Sequence, residues 1–162
     1  MTPHELSRYQ DPLTIQRVLL NAKTIAVVGL SGNTLRASYF VGFYLQRHGY
    51  RVLPVNPRES EILGERCYPS LMELPERVDI VNVFRAPSAL PEIATQAAAI
   101  RAGCLWTQFN VINEVGAQIA ERAGLTVIMD RCIKVEHARY VGRMHWLGFN
   151  TDRITAVRGG LQ

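Results

Sequence analysis

Apolar positions along this chain gather into five short runs, at residues 25–28, 52–55, 80–84, 104–108 and 126–129, and between them the pattern changes to helical spacing. Short apolar runs of this kind predict strands buried on both faces, and the intervening helices predict parallel crossovers. Asp11 and Pro12 supply an N-cap and a first-turn proline for a helix over 11–21 that leans on the main domain. Ser38 is a plausible N-cap for a helix over 38–48, which Gly49 closes. Ser70 and Glu73 have capping-box spacing for a short helix after the turn at Tyr68-Pro69. Pro91 opens an alanine-rich helix that Gly103 ends, a helix over 114–122 stops at Gly124, and a last one runs from residue 133 to about 146.

This alternation predicts an α/β fold: a single Rossmann-like, doubly wound, parallel five-stranded sheet with helices on both faces. Counted along the chain, the expected strand order is 3-2-1-4-5, with a ligand crossing the carboxyl ends of the first four strands near the switch point. Residues 1–147 form the expected domain, with the 11–21 helix as an N-terminal extension. Residues 148–162 form a polar, basic, glycine-containing tail, for which disorder and packing on another subunit, as in a homodimer, both stay open.

Composition narrows the function classes. With 48% hydrophobic and 20% charged residues among 162, the chain can bury a core of its own. A net charge of +4, from 18 Lys+Arg against 14 Asp+Glu, favours an anionic ligand but is too small and scattered for a nucleic-acid partner. No apolar run approaches a membrane span and no secretory leader opens the sequence, so no membrane association is expected and cytoplasmic residence is the default. Three cysteines without Cys-x-x-Cys spacing indicate neither a disulfide framework nor a metal site.

The first strand breaks at Gly29-Leu30-Ser31-Gly32 and a helix comes next, an order of elements that offers backbone N–H groups and the positive helix end to a phosphate. The turn departs from the dinucleotide fingerprint, because Ser31 stands at its second glycine position. Where an NAD site wants Asp or Glu at the end of the second strand, this chain has Asn56. Phosphate binding survives that comparison better than ordinary NAD binding does. The loops at the strand ends supply Ser31, Gly32, Asn33, Arg36 and Ser38, then Asn56, Pro57 and Arg58, then Phe84 and Arg85, then Gln108, and then Asp130, Arg131 and Cys132. Together with Gly29, the members of the first four loops are the candidate ligand residues. Arginine suits phosphate through its two-pronged donors, so Arg36, Arg58 and Arg85 stand out. The same set would accommodate NADP through Arg58 at its 2′-phosphate. The loops carry no paired carboxylates and no Ser-His-Asp set, so no catalytic residue is assigned. Cys132 reads as an unreactive thiol, Glu136 and His137 as helix surface or packing, and Trp106 and Trp146 as core or interface.

Five segments carry a family resemblance: AVVGLS at 26–31, GYRVLPVNP at 49–57, YPSL at 68–71, VDIVNVFR at 78–85 and MDRCIKVEH at 129–137. Together they resemble the stand-alone CoA-binding domain proteins, which are similar to the CoA-binding domain of the succinyl-CoA ligase alpha subunit. The resemblance spans roughly residues 14–140. It implies a domain that holds CoA by its 3′-phosphorylated adenosine diphosphate, with the pantetheine arm along the sheet edge. Gly29, Ser31 and Arg36 would match the family's phosphate turn, Asn56, Pro57 and Arg58 the loop near the adenosine and its phosphate, and Phe84 and Arg85 the third-strand loop. The chain shows no second domain and no phosphohistidine loop, so ligase activity does not carry over. The leading expectation is a non-enzymatic, regulatory CoA or acyl-CoA binding module. An NADP-dependent oxidoreductase, a ligase half that recruits a partner, and a dimeric interaction protein with a vestigial pocket remain open.

Overall fold

In the computed structural model, which describes residues 1–142, the five apolar runs lie side by side in one parallel sheet. Its strands are β1 (Thr24–Val28), β2 (Arg51–Val55), β5 (Ile80–Val83), β6 (Cys104–Thr107) and β7 (Thr126–Ile128). Between β2 and β5 the chain forms a small antiparallel hairpin that the sequence pattern did not announce, β3 (Glu61–Ile62) with β4 (Glu65–Arg66). The helices are α1 (Pro3–Ser7), α2 (Pro12–Asn21), α3 (Ala37–Arg47), α4 (Leu90–Ala99), α5 (Glu114–Arg122) and α6 (Ile133–His137).

Alternate strand positions face opposite layers, as a pleated strand requires. Ala26, Val28, Val81, Val83, Leu105 and Val127 pack against α4 and α5 through Leu90, Ala94, Ala97, Ala117 and Ala120. Ile25, Val27, Ile80, Trp106 and Ile128 pack against α2, α3 and α6 through Ile15, Leu19, Val41, Leu45 and Ile133. The Rossmann-like α/β fold expected from the sequence is therefore the observed one.

The strand order is not. The sheet runs β2-β1-β5-β6-β7, which is 2-1-3-4-5 along the chain and not 3-2-1-4-5. The second strand sits at the edge, and the third pairs with the first in the register Ile25↔Ile80 to Val28↔Val83. Pro54 gives the reason. It lies within β2 opposite Val27 and has no N–H to donate to a second neighbour, a residue suited to an edge strand and not to an interior one. The outer side of β2 is closed by the segment around Tyr68, whose N–H donates to Pro54 O at 2.9 Å while its carbonyl accepts from Asn56 N–H at 2.9 Å. The switch point consequently falls between β1 and β5, and the loops after β1, β2 and β5 meet there.

Local starts and stops explain the helix ends. Asp11 caps α2 by accepting from Thr14 N–H. Ser38 does not cap α3, which begins one residue earlier with Arg36 at the N-cap; its hydroxyl instead accepts from Ser31 N–H at 3.0 Å and ties the turn to the helix. The Ser70 hydroxyl accepts from Met72 N–H, but it opens only a single 3-10 turn, Leu71–Glu73. The last helix is α-helical only over Ile133–His137 and continues as a π-turn over Ala138–Gly142. Trp146 and the tail at 148–162 lie outside the described residues.

Candidate functional site

A cavity of about 520 Å³ opens at the carboxyl ends of β1, β2 and β5. Its wall is built from the β1–α3 turn through Gly29, Ser31 and Arg36, from the loop after β2 through Asn56, Pro57 and Arg58, and from the loop after β5 through Phe84 and Arg85. Ala37 and Ser38, at the start of α3, complete it. As the first helical residues, these two have no carbonyl within the helix for their N–H groups to bond. Ala37 was not singled out from the sequence, because an alanine advertises nothing beyond its place in the helix.

The turn is held by a set of close contacts. Gly29 has φ of 88°, and a Cβ there would collide with the Phe84 carbonyl oxygen, so the residue must be glycine. Its N–H donates to Val55 O at 2.9 Å, and Phe84 N–H donates to Val28 O at 2.8 Å, which draws the three loops together. The Asn56 side chain extends this brace. Its Nδ2 donates to Leu30 O at 2.9 Å, and its Oδ1 accepts from Arg58 N–H at 2.8 Å.

Sequence reasoning expected the turn's amides to be unpaired, and this is corrected. Ser31 N–H donates to Ser38 Oγ, Asn33 N–H to Ser31 Oγ at 3.0 Å, and Leu35 N–H to Asn33 Oδ1 at 2.9 Å. Gly32 N–H donates to Glu59 Oε2 at 2.9 Å. The sequence contains short polar side chains at the right offsets to bond their own backbone, a competition that a search for glycine spacing overlooks. Glu59 is not evident from the sequence for a related reason: Asn56 stands at the end of the second strand, and the carboxylate that reaches the turn comes from three residues further on.

Arg36, Arg58 and Arg85 are exposed and line the one cavity. None of them has a carboxylate partner among the described residues, whereas Arg8, Arg51 and Arg139 do. Uncompensated guanidinium groups converging from three loops make a positive field suited to an anion with more than one charged group. A second cavity of about 190 Å³ adjoins the first and shares Pro57 and Arg85 with it. Val28, Val55, Leu71 and Ile93 give it an apolar lining, with Glu92 and Gln96 beside them.

The other sequence candidates lie apart from the cavity wall. Gly32 and Asn33 belong to the turn but do not line the cavity. Gln108 is buried and its Nε2 donates to Asn82 Oδ1 at 2.6 Å, so its side chain serves the sheet interior. Arg131 bonds Gln10 Oε1 and the Asp130 carbonyl. Cys132 is half-buried at the N-cap of α6, while burial raises the Cys67 and Cys104 thiols above their ordinary range. His137, read as surface or packing, is buried; its Nδ1 lies 2.8 Å from Tyr44 Oη, and burial together with the neighbouring His48 pushes its pKa down to about 4.

Residues 23–138, which contain all three cavity loops, match the family described as the CoA binding domain. The chain belongs to that family. This CoA-binding-domain protein is 44% identical over 124 residues to YneT of Bacillus subtilis (strain 168), across 76% of this chain and 92% of YneT. A solved structure from Thermus thermophilus superposes on it with a TM-score of 0.77 at 41% identity, covering 80% of this chain and 98% of that one. The ADP-forming acetate–CoA ligase II of Archaeoglobus fulgidus is 28% identical over 96 residues, a match that takes 58% of this family member but 14% of the ligase. Among the described residues, no helix is long and apolar enough to cross a membrane.

Proposed function

We propose that this protein binds CoA or acyl-CoA in the cavity at the β1–β5 switch point, as a regulatory module without chemistry of its own. The observation that carries the reading is the convergence of Arg36, Arg58 and Arg85 on one cavity with no carboxylate partner among the described residues. CoA presents a diphosphate and a separate 3′-phosphate, and guanidinium groups on three loops suit charges spread in this way. The adjoining apolar slot suits the adenine ring. Among the described residues the cavity wall has no histidine, cysteine or carboxylate, which favours holding a ligand over transforming it. Membership of the family supports CoA over NADP.

Calorimetric titration with CoA, NADP and NAD tests the reading. Saturable heat with CoA and markedly weaker binding of both nicotinamide nucleotides is the expected result. Saturable heat with NADP and none with CoA overturns it. A second reading, a ligase half completed by a partner, is favoured by the similarity to a segment of the A. fulgidus ligase. Co-purification with an ATP-grasp subunit, and CoA-dependent turnover by the pair alone, would support that reading over a non-enzymatic module.

A further inference from the structure

The carboxylate of Glu59 covers the Gly32 N–H, a turn amide that as a result stays off the cavity wall although its neighbour Ser31 lines it. Its Oε2 accepts from Gly32 N–H at 2.9 Å and from Asn56 Nδ2 at 3.3 Å, and its Oε1 lies so close to Gly32 that a Cβ there would collide with it. In strand–turn–helix nucleotide sites, amides at this point of the turn bond a pyrophosphate. Among the described residues Glu59 forms no ion pair with any of the three cavity arginines, although charge-assisted bonds of the bidentate type are the stronger ones. Glu59 instead lies on the turn, as a phosphate oxygen would.

We propose that Glu59 is a resident anion of the turn, competing with a ligand phosphate for Gly32 N–H and thereby setting which phosphates the cavity admits and how tightly. The inference rests on reading the cavity as a phosphate berth. The neighbouring backbone is anchored, because Gln46 Nε2 of α3 donates to Leu63 O of the β3–β4 hairpin at 3.0 Å and Cys67 N–H donates to Ser60 O at 2.9 Å. Displacement of the carboxylate is therefore a rotation of one side chain, with the loop remaining in place. Ligand entry exchanges one anion for another at the same amide, and the discrimination lies in the difference between them. A diphosphate, which carries two charges as a unit and also reaches an arginine, displaces the carboxylate, whereas a neutral group does not.

The full native chain, Glu59→Gln and Glu59→Ala are titrated separately with inorganic pyrophosphate and with CoA, with thermal unfolding as a control of folding. Both variants are expected to bind pyrophosphate roughly tenfold more tightly than the native chain, the size of effect expected from removing one like charge beside a surface site. In the native chain, the Gly32 amide resonance is expected to shift as pyrophosphate saturates, because its acceptor changes. Equal or weaker pyrophosphate binding by Glu59→Gln with native thermal stability overturns the proposal, and makes the carboxylate a brace of the turn or an acceptor for ligand hydroxyls. An unmoved Gly32 resonance at saturation, or no pyrophosphate binding by any of the three chains, overturns it too. If CoA gives no heat with any chain while pyrophosphate still prefers the variants, the CoA reading falls and the resident anion stands. If CoA binds all three alike, the resident anion falls and the CoA reading stands.

Discussion

Arg58 and Arg85 reach the cavity from different strands, so each should bond a different phosphate oxygen and their losses should be separable. Arg58→Glu and Arg85→Glu are each expected to weaken CoA binding by roughly tenfold or more, the scale of a lost charge-assisted hydrogen bond with repulsion added. Neither side chain has an ion pair to lose among the described residues, so the melting temperature should stay within a degree or two of the native value. Calorimetry and thermal unfolding check both halves of this expectation, and native affinity in both variants would remove the arginines from the site. Raising the ionic strength should weaken CoA binding to the native chain more steeply than to either variant.

Elements carry the next level of consequence, and α6 with its π-turn is the clearest case. His137 is held neutral by burial, with Tyr44, Tyr50 and His48 around its ring. Its folded pKa of about 4 lies below the ordinary value of 6.5, so between these two values the unfolded chain takes up a proton that the folded chain refuses. The stability this burial contributes is complete above about pH 6.5 and is lost as the pH falls towards about 4. Urea midpoints measured across that window should therefore decline with acid in the native chain. The decline should be shallower in His137→Gln, which keeps a polar partner for Tyr44 but has no proton to gain.

Elements are also where the legibility of the sequence ends. All five strands and the helices that flank them were visible, because the apolar runs and the Gly and Pro stops are local signals. The strand order is less legible, because Pro54 continues the apolar run of Val52, Leu53 and Val55 while its missing N–H, which marks an edge strand, leaves no trace in that pattern. At the site, Gly29, Ser31, Arg36, Ser38, Asn56, Pro57, Arg58, Phe84 and Arg85 were picked out from their places at strand ends, and the structure brings them to one cavity wall. Gln108 sat at an equally favourable place in the chain, yet its side chain turns to Asn82, a choice between two faces that sequence position does not reveal. Glu59 could be found only once the loop after β2 had been folded back over the turn.

For the whole molecule, the cavity is assembled from loops that are distant in sequence, so a ligand in it should hold the folded state together as well as fill a pocket. CoA at about a hundred times its dissociation constant is expected to add about 2.7 kcal/mol to global stability, read as a higher melting temperature. At the same CoA concentration the increment should shrink in Arg58→Glu and Arg85→Glu by about 1.4 kcal/mol for each tenfold loss of affinity. A melting temperature that does not respond to CoA would mean that CoA does not bind the folded chain.

The closed outer side of β2 governs how copies of this protein can meet. Pro54 and the segment around Tyr68 leave no continuous ladder of donors on that margin, and at the opposite margin Met129 N–H, just past β7, already donates to Tyr9 O at 3.2 Å. An incoming strand therefore finds little to zip onto along β2, and covering an edge in this way opposes strand-to-strand growth from it. Among the described residues, α3 offers a different kind of surface, since Phe40 and Phe43 stand in solvent there.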